Sequence, residues 1–174
     1  MKRTLLLGLG MLGLALMVGG DALACGDKLV IVGRGLRAKR KAVSKASILV
    51  YARPGGSLPA ALTEGGLQKN LERAGHRLSR VGTEQELKAA LGAGGHDLVL
   101  ADLEVAPRVE AQASSAPAHP TVLPTLYNPS PAELKAAESA FQCVLKSPAK
   151  EKDYLAAVDE AMAARAKQAK AGKK

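Results

Sequence analysis

His96-Asp97-Leu98-Val99-Leu100-Ala101-Asp102-Leu103-Glu104 is the stretch of this chain that decides its fold. Leu98 to Ala101 form an uninterrupted apolar run, which is typical of a strand covered on both faces of a parallel sheet. Asp102 follows at the carboxyl end of that strand, where open α/β sheets place their functional groups. The stretch therefore predicts a buried parallel strand that ends in a candidate functional carboxylate.

Strand and helix patterns alternate on both sides of this stretch. The other predicted strands cover residues 47–52, 77–81, 121–126 and 141–145. Helices are predicted over residues 58–74, 83–91, 107–113, 130–140 and 150–167, and the second and fourth begin at S/T-x-x-E capping boxes. The third helix is expected to be degenerate, with one or two turns, because residues 104–120 hold few large apolar side chains.

This alternation predicts the fold class. Five strands separated by helices imply a parallel sheet with helices on both faces. Because crossovers between parallel strands are right-handed, the expected architecture is a flavodoxin-like, doubly wound, five-stranded sheet of order 2-1-3-4-5.

The first 24 residues have the features of a secretory signal peptide. Lys2 and Arg3 form a positive start, residues 5–18 are apolar, and Ala22-Leu23-Ala24 supplies the small-x-small pattern of a cleavage site. The apolar core spans about 21 Å as a helix, less than the roughly 30 Å of bilayer hydrocarbon. We therefore expect export rather than a permanent membrane span.

Cys25 directly follows the predicted cleavage site. The junction is similar to a lipoprotein lipobox, whose cysteine becomes lipid-modified, although Ala22 stands where a large aliphatic residue is usual. Plain cleavage that leaves Cys25 as the first residue is the alternative. The mature protein is therefore expected to be periplasmic, or anchored to the envelope by a lipid on Cys25.

The chain is basic, with a formal net charge of +9, and lysine and arginine are concentrated in residues 34–41 and 165–174. Solvated basic ends are the favoured interpretation, and contact of these ends with an anionic membrane surface is the alternative. A nucleic-acid partner is not expected, because the chain has no Trp and one Phe to stack on bases. The chain divides into a signal peptide (1–24), an N-terminal strand and basic linker (25–46), one domain (47–168) and a basic tail (169–174).

Three motifs within the domain resemble those of bacterial response-regulator receiver domains. The strand ending in Asp102 resembles the strand that ends in the phosphoacceptor aspartate. Pro120-Thr121-Val122-Leu123-Pro124-Thr125 resembles the strand that places a phosphoryl-sensing hydroxyl, here Thr125. Cys143-Val144-Leu145-Lys146-Ser147-Pro148 resembles the strand end that carries a Lys-Pro pair, with Lys146 one place early.

The same comparison implies that receiver chemistry is lost. Receivers carry two adjacent acids after the first strand, which hold a divalent cation together with the phosphoacceptor, and Ala52 and Arg53 stand there in this chain. Phosphoryl transfer needs that cation to neutralise charge on the transferred group. We therefore expect a degenerate pseudo-receiver that is not an enzyme and has no metal or cofactor. Asp102 is expected to form a buried ion pair with Arg53 or Lys146, with ligand contact or phosphoacceptance as alternatives.

The leading functional hypothesis is an exported non-catalytic module with a protein-interaction or regulatory role at the envelope. One alternative is a periplasmic protein that binds a small anion through Arg53, Asp102 and Thr125. The other is an active phosphoacceptor receiver. The partner is an unknown protein or a second copy of the chain, which would pack through small residues of the fourth and fifth predicted helices: Ala136, Ala137, Ala140, Ala157 and Ala161.

Overall fold

The computed structural model describes residues 45–171. Four predicted segments lie wholly or mostly outside the described residues: the signal peptide, Cys25, the N-terminal strand with its linker, and residues 172–174 of the tail. The proposals made for those segments therefore stay predictions.

The described residues form five strands and six helices. The strands are β1 (Ser47–Tyr51), β2 (Arg77–Val81), β3 (Leu98–Asp102), β4 (Thr121–Tyr127) and β5 (Leu145–Ser147). The helices are α1 (Leu58–Thr63), α2 (Leu67–Arg73), α3 (Glu84–Ala93), α4 (Ala106–Ser114), α5 (Pro131–Ala140) and α6 (Glu151–Ala171). Within this part of the chain, no helix is long and apolar enough to cross a membrane.

All neighbouring strands pair in parallel, in the order β2-β1-β3-β4-β5. This confirms the predicted flavodoxin-like sheet and its strand order. The register pairs Ile48 of β1 with Leu98 of β3, and Asp102 of β3 with Thr125 of β4. The carboxyl ends of β1, β3 and β4 therefore meet at one edge of the sheet.

Alternate side chains of the central strands pack into two apolar cores, one on each face of the sheet. Ile48 and Val50 pack with residues of α1, α2 and α6, whereas Leu49 and Tyr51 pack with residues of α3 and α4. Every position of β3 is buried, as its continuous apolar run predicts. The sheet is thus a packed base that holds the residues at its carboxyl edge in place.

The prediction of one helix over residues 58–74 is wrong, because two glycines interrupt it. Gly66, between α1 and α2, has a φ of +68°, a left-handed conformation that favours glycine. Gly65 lies against β5, since a Cβ built on it would overlap Ser147 Oγ and would lie 2.6 Å from Ala61 O. The interruption lets the backbone pass close to the edge strand.

The fifth strand is present, but its predicted bounds, residues 141–145, are wrong. β5 spans only Leu145–Ser147, and its pairing continues to Tyr127 of β4. Phe141 closes α5 instead, donating its N–H to Ala137 O at 2.9 Å. The apolar run that suggested a strand therefore includes the C-cap of a helix.

Two helices are longer than predicted. α4 has nine residues, about two and a half turns, and is anchored by its buried Ala106, Val109 and Ala113. Three small or medium side chains at helical spacing are thus enough to hold a segment with few large apolar residues. α6 continues to Ala171, beyond its predicted end at residue 167.

Tyr154 and Arg165 fasten α6 to the rest of the domain. The buried Tyr154 hydroxyl donates to Gly65 O at 2.8 Å and accepts from Ala149 N–H at 2.9 Å. Arg165 Nη1 pairs with Asp97 Oδ1 at 3.0 Å, near the start of β3. The last helix is therefore bound at both its beginning and its second half.

His76, just before β2, makes the stability of the domain depend on pH. Its Nδ1 accepts Ala46 N–H at 3.1 Å, and only 4% of the residue is exposed. Burial lowers the pKa of His76 below its ordinary value, and the smaller effect of Asp159 on α6 opposes this. Because the unfolded chain binds the proton more readily, the contribution of His76 to stability is fully present above about pH 6.5 and decreases as the pH falls below it.

We therefore expect the melting temperature to fall between about pH 7 and pH 5 in a series of thermal denaturation scans. His76→Asn should flatten this dependence, whereas the matched change at the exposed His119 should preserve it. A wild-type and a His76→Asn profile of equal slope would contradict the assignment.

Candidate functional site

A cleft of about 480 Å³ opens at the sheet edge where β1, β3 and β4 end. Its walls come from the loop between β1 and α1, the end of β3, and the residues that follow β4. Of the predicted site residues, Arg53, Asp102 and Thr125 line this cleft. The structure therefore brings these three together at the edge where parallel α/β sheets place their sites.

Asp102 is 4% exposed, and its carboxylate holds the start of α1. Oδ1 accepts hydrogen bonds from Ser57 N–H at 3.0 Å, the Ser57 hydroxyl at 2.6 Å and Leu58 N–H at 2.8 Å. The amides at a helix start lack partners within the helix and favour a negative group. The Ser57 side chain makes no capping hydrogen bond to α1. Asp102 thus caps this helix from a distant strand.

Gly56 closes off the second carboxylate oxygen of Asp102. A Cβ built on Gly56 would overlap Oδ2 and would also lie 3.3 Å from Arg53 O. Oδ2 is buried and has no hydrogen-bond partner among residues 45–171. The loop before α1 therefore approaches the carboxylate as closely as a glycine permits, and covers it.

Within the described residues, Asp102 forms no ion pair with Arg53 or Lys146, so that prediction is wrong. Arg53 Nη2 pairs instead with Glu104 Oε2, at 2.6 Å. The Glu104 side chain is 79% exposed, so water screens this pair and its contribution to stability is small. Backbone and hydroxyl donors, rather than a cationic side chain, bind Oδ1 of Asp102.

The remaining predicted site residues have different environments. Ala52 is buried in a core and donates its N–H to Val81 O at 2.9 Å. Thr125 is 1% exposed, and its hydroxyl makes one long contact, 3.5 Å to Leu123 O. Lys146 is exposed and lines a separate groove between α5 and α6. The structure therefore does not bring Lys146 to the cleft.

Three contacts in the cleft escaped the sequence analysis: Gly56 over Asp102, Ser57 bonded to Asp102, and Glu104 paired with Arg53. A Gly-Gly-Ser sequence directly after a strand is the signal that indicates a close backbone approach. Glu104 follows Asp102 by two residues, so its proximity to the cleft could be inferred, but not its partner.

Negative charge predominates in the cleft. The charged side chains that line it are those of Asp102, Glu104, Glu133 and Arg53. Glu104 pairs with Arg53, and Glu133 accepts the Ser130 N–H at 2.8 Å in a capping box. Among residues 45–171, no three His, Cys, Asp or Glu side chains form a group that could hold a metal ion. The cleft thus carries one guanidinium, already paired, and no three-ligand metal site of that kind.

The alanines expected to form a self-association face do not share one exposed surface. Ala137 and Ala161 are buried at 2% and 0% exposure. Ala136 and Ala140 are exposed, and Ala157 is half-buried. The small residues therefore serve partly to let α5 and α6 approach the sheet.

Comparisons with protein-family models, with curated proteins and with solved structures gave no match to this chain. Its functional interpretation therefore depends on the geometry of the cleft and on the sequence.

Proposed function

We propose that this chain is an exported, non-catalytic module of receiver-like architecture with a protein-interaction or regulatory role at the cell envelope. The observation that carries the proposal is the use of Asp102 as the cap of α1. A phosphoacceptor has to present a free oxygen in line with the phosphoryl donor. Here hydrogen-bond donors occupy Oδ1, and Gly56 covers Oδ2.

The residues around Asp102 support the same proposal. The positions of the receiver acid pair hold the buried Ala52 and the guanidinium of Arg53, which is paired with Glu104. A cation that neutralises charge during phosphoryl transfer needs several oxygen ligands in fixed positions. Of the three positions that hold the cation in receivers, here Ala52, Arg53 and Asp102, only Asp102 carries a carboxylate, and Gly56 covers its Oδ2. The signal-like first 24 residues support the export part of the proposal.

Binding of a small anion in the cleft is the weaker candidate. The guanidinium of Arg53 is already neutralised, and the carboxylates of Asp102, Glu104 and Glu133 surround the same space. These carboxylates repel an incoming anion, and among the described residues the cleft has no unpaired cationic side chain to offset that repulsion. The strand-edge cleft therefore does not have the charge that this function requires.

The purified chain is expected to gain no phosphoryl group when it is incubated with a small phosphodonor and magnesium. Intact-mass measurement checks this, with an active receiver domain treated in parallel as the positive control. The physical reason is that Oδ1 is engaged and Oδ2 is covered.

An adduct with the mass of one phosphoryl group on the wild type, absent from Asp102→Asn, would overturn the proposal. An adduct that persists in Asp102→Asn would report modification elsewhere and would leave Asp102 in its structural role.

A further inference from the structure

We propose that residues 28–33 of this same chain fill the groove between α5 and α6 and add a sixth strand at the free edge of β5. This inference rests on the export part of the proposed function, since it concerns the chain after signal cleavage, but it does not depend on the role of Asp102. It rests on the shape and charge of the groove, on the composition of the segment, and on the length of chain that joins the two.

The groove has a volume of about 680 Å³ and runs along β5. Leu134 of α5 forms one wall, and Ala156 and Ala157 of α6 form the other. In the described part of the chain β5 pairs only with β4, so its outer edge presents unpaired backbone N–H and C=O groups. An open strand edge between apolar walls is the geometry to which an extended segment adds as a strand.

Residues 28–33 have the composition that such a groove requires. Their sequence is Lys-Leu-Val-Ile-Val-Gly, and residues 29–32 are the longest apolar run between the predicted cleavage site and Lys45. β-branched side chains favour extended backbone and pack well on a half-buried strand surface. Left uncovered in the mature chain, such a run promotes aggregation through strand pairing. The segment therefore needs a cover, and the groove offers one.

The connecting chain is long enough. Residues 33–45 span up to about 40 Å when extended. A strand added beside β5 lies four strand spacings from β1, which is about 19 Å across the sheet. Even after adding the length of β1, about 17 Å at 3.3 Å per residue, the linker reaches the groove with slack.

Charge favours the edge at β5 over the opposite edge of the sheet. Lys28 and Arg34 flank the apolar run, and β2, the strand at the other edge, exposes Arg77 and Arg80. In a chain of net charge +9 the β5 groove is an exception, since its charged lining is Glu138, Asp153 and Glu160 with Lys146 and Lys150. Attraction between the basic flanks and the three carboxylates directs the segment to β5.

Amide hydrogen exchange on the full chain as purified after export tests the proposal. The variant Val30→Asp/Val32→Asp places charge within the apolar run, and Ala38→Asp/Ala42→Asp is a control with the same charge change in the linker. Backbone amides of residues 144–147 should exchange at least about 10-fold faster in the first variant than in the wild type, while those of β3 should stay unchanged. The control should exchange like the wild type.

Light scattering on the same samples identifies the source of the segment. A monomeric mass, with protection of residues 144–147 that does not vary with protein concentration, supports docking within one chain. A dimeric mass that falls to a monomer in Val30→Asp/Val32→Asp overturns it, because the segment then comes from a second copy. Equal exchange at residues 144–147 in the wild type and both variants also overturns it.

Discussion

Replacing Asp102 with alanine should lower the free energy of unfolding by about 3 kcal/mol, because donors at the start of α1 lose a charged acceptor. The buried Leu58 N–H is the most costly of these, since it has little access to water. For a domain of this size the loss corresponds to a fall in melting temperature of about 10 °C. Urea denaturation monitored by circular dichroism measures the effect.

Two graded variants accompany this prediction. Asp102→Asn keeps an acceptor oxygen without the charge and should lose about 1 kcal/mol, and Ser57→Ala removes one of the donors and should lose a similar amount. Acids held ready for a ligand or a reaction often destabilise the fold, so their removal raises stability. An Asp102→Ala protein more stable than the wild type would therefore contradict the structural role assigned to this carboxylate.

Gly65→Ala should be comparably damaging, with a loss of about 3 kcal/mol, although it adds a single methyl group. The new Cβ would overlap Ser147 Oγ and would lie 2.6 Å from the backbone oxygen of Ala61. Since a backbone atom cannot move aside without bending α1, the break between the first two helices would have to open. Thermal denaturation checks the prediction.

Gly92→Ala is the matched control for this substitution. Gly92 lies within α3, and a Cβ built there meets nothing within 4 Å. The same chemical change should therefore raise stability by about 0.5 kcal/mol, through the higher helix propensity of alanine. If both variants were equally destabilised, the close packing of Gly65 on β5 would not be the cause.

The central part of the fold was predictable because its signals are local and strong. The apolar run of β3 predicts burial on both faces, and all five of its residues are buried. Thr83 and Ser130 were identified as N-caps from their capping boxes, and both form the reciprocal hydrogen bonds. Once the strands and helices alternate, the handedness of crossovers leaves few possible orders for the sheet.

The predictions that were wrong, for β5 and for the first helix, have a different physical origin. β5 has three residues, which are too few for a periodic pattern. The prediction therefore placed this strand on the apolar run that precedes it. The break between α1 and α2 falls at the Gly65-Gly66 pair, where Gly66 adopts a left-handed φ of +68°. A Gly-Gly pair is a turn signal, but the helical spacing of Leu67 and Leu71 was given more weight, so one helix was predicted across the pair.

The candidate site was also predictable from the sequence only in part. The position of Asp102 at the carboxyl edge followed from the strand pattern. Its partners did not, because two of the three donors are backbone amides, which every residue type except proline carries. The types of side chain suggest an ion pair between Asp102 and Arg53, but they do not indicate which backbone amides will donate hydrogen bonds to the Asp102 carboxylate.

The dependence of the domain on α6 sets the order in which it can mature. Tyr154 and Val158 of this helix complete one core, and Arg165 reaches back to Asp97 beside the start of β3. A nascent polypeptide lacking residues 151–171 has, of the described helices, only α1 and α2 on that side of the sheet, so this core stays incomplete. For the exported protein proposed here, this dependence delays complete folding until residues 151–171 have been synthesised.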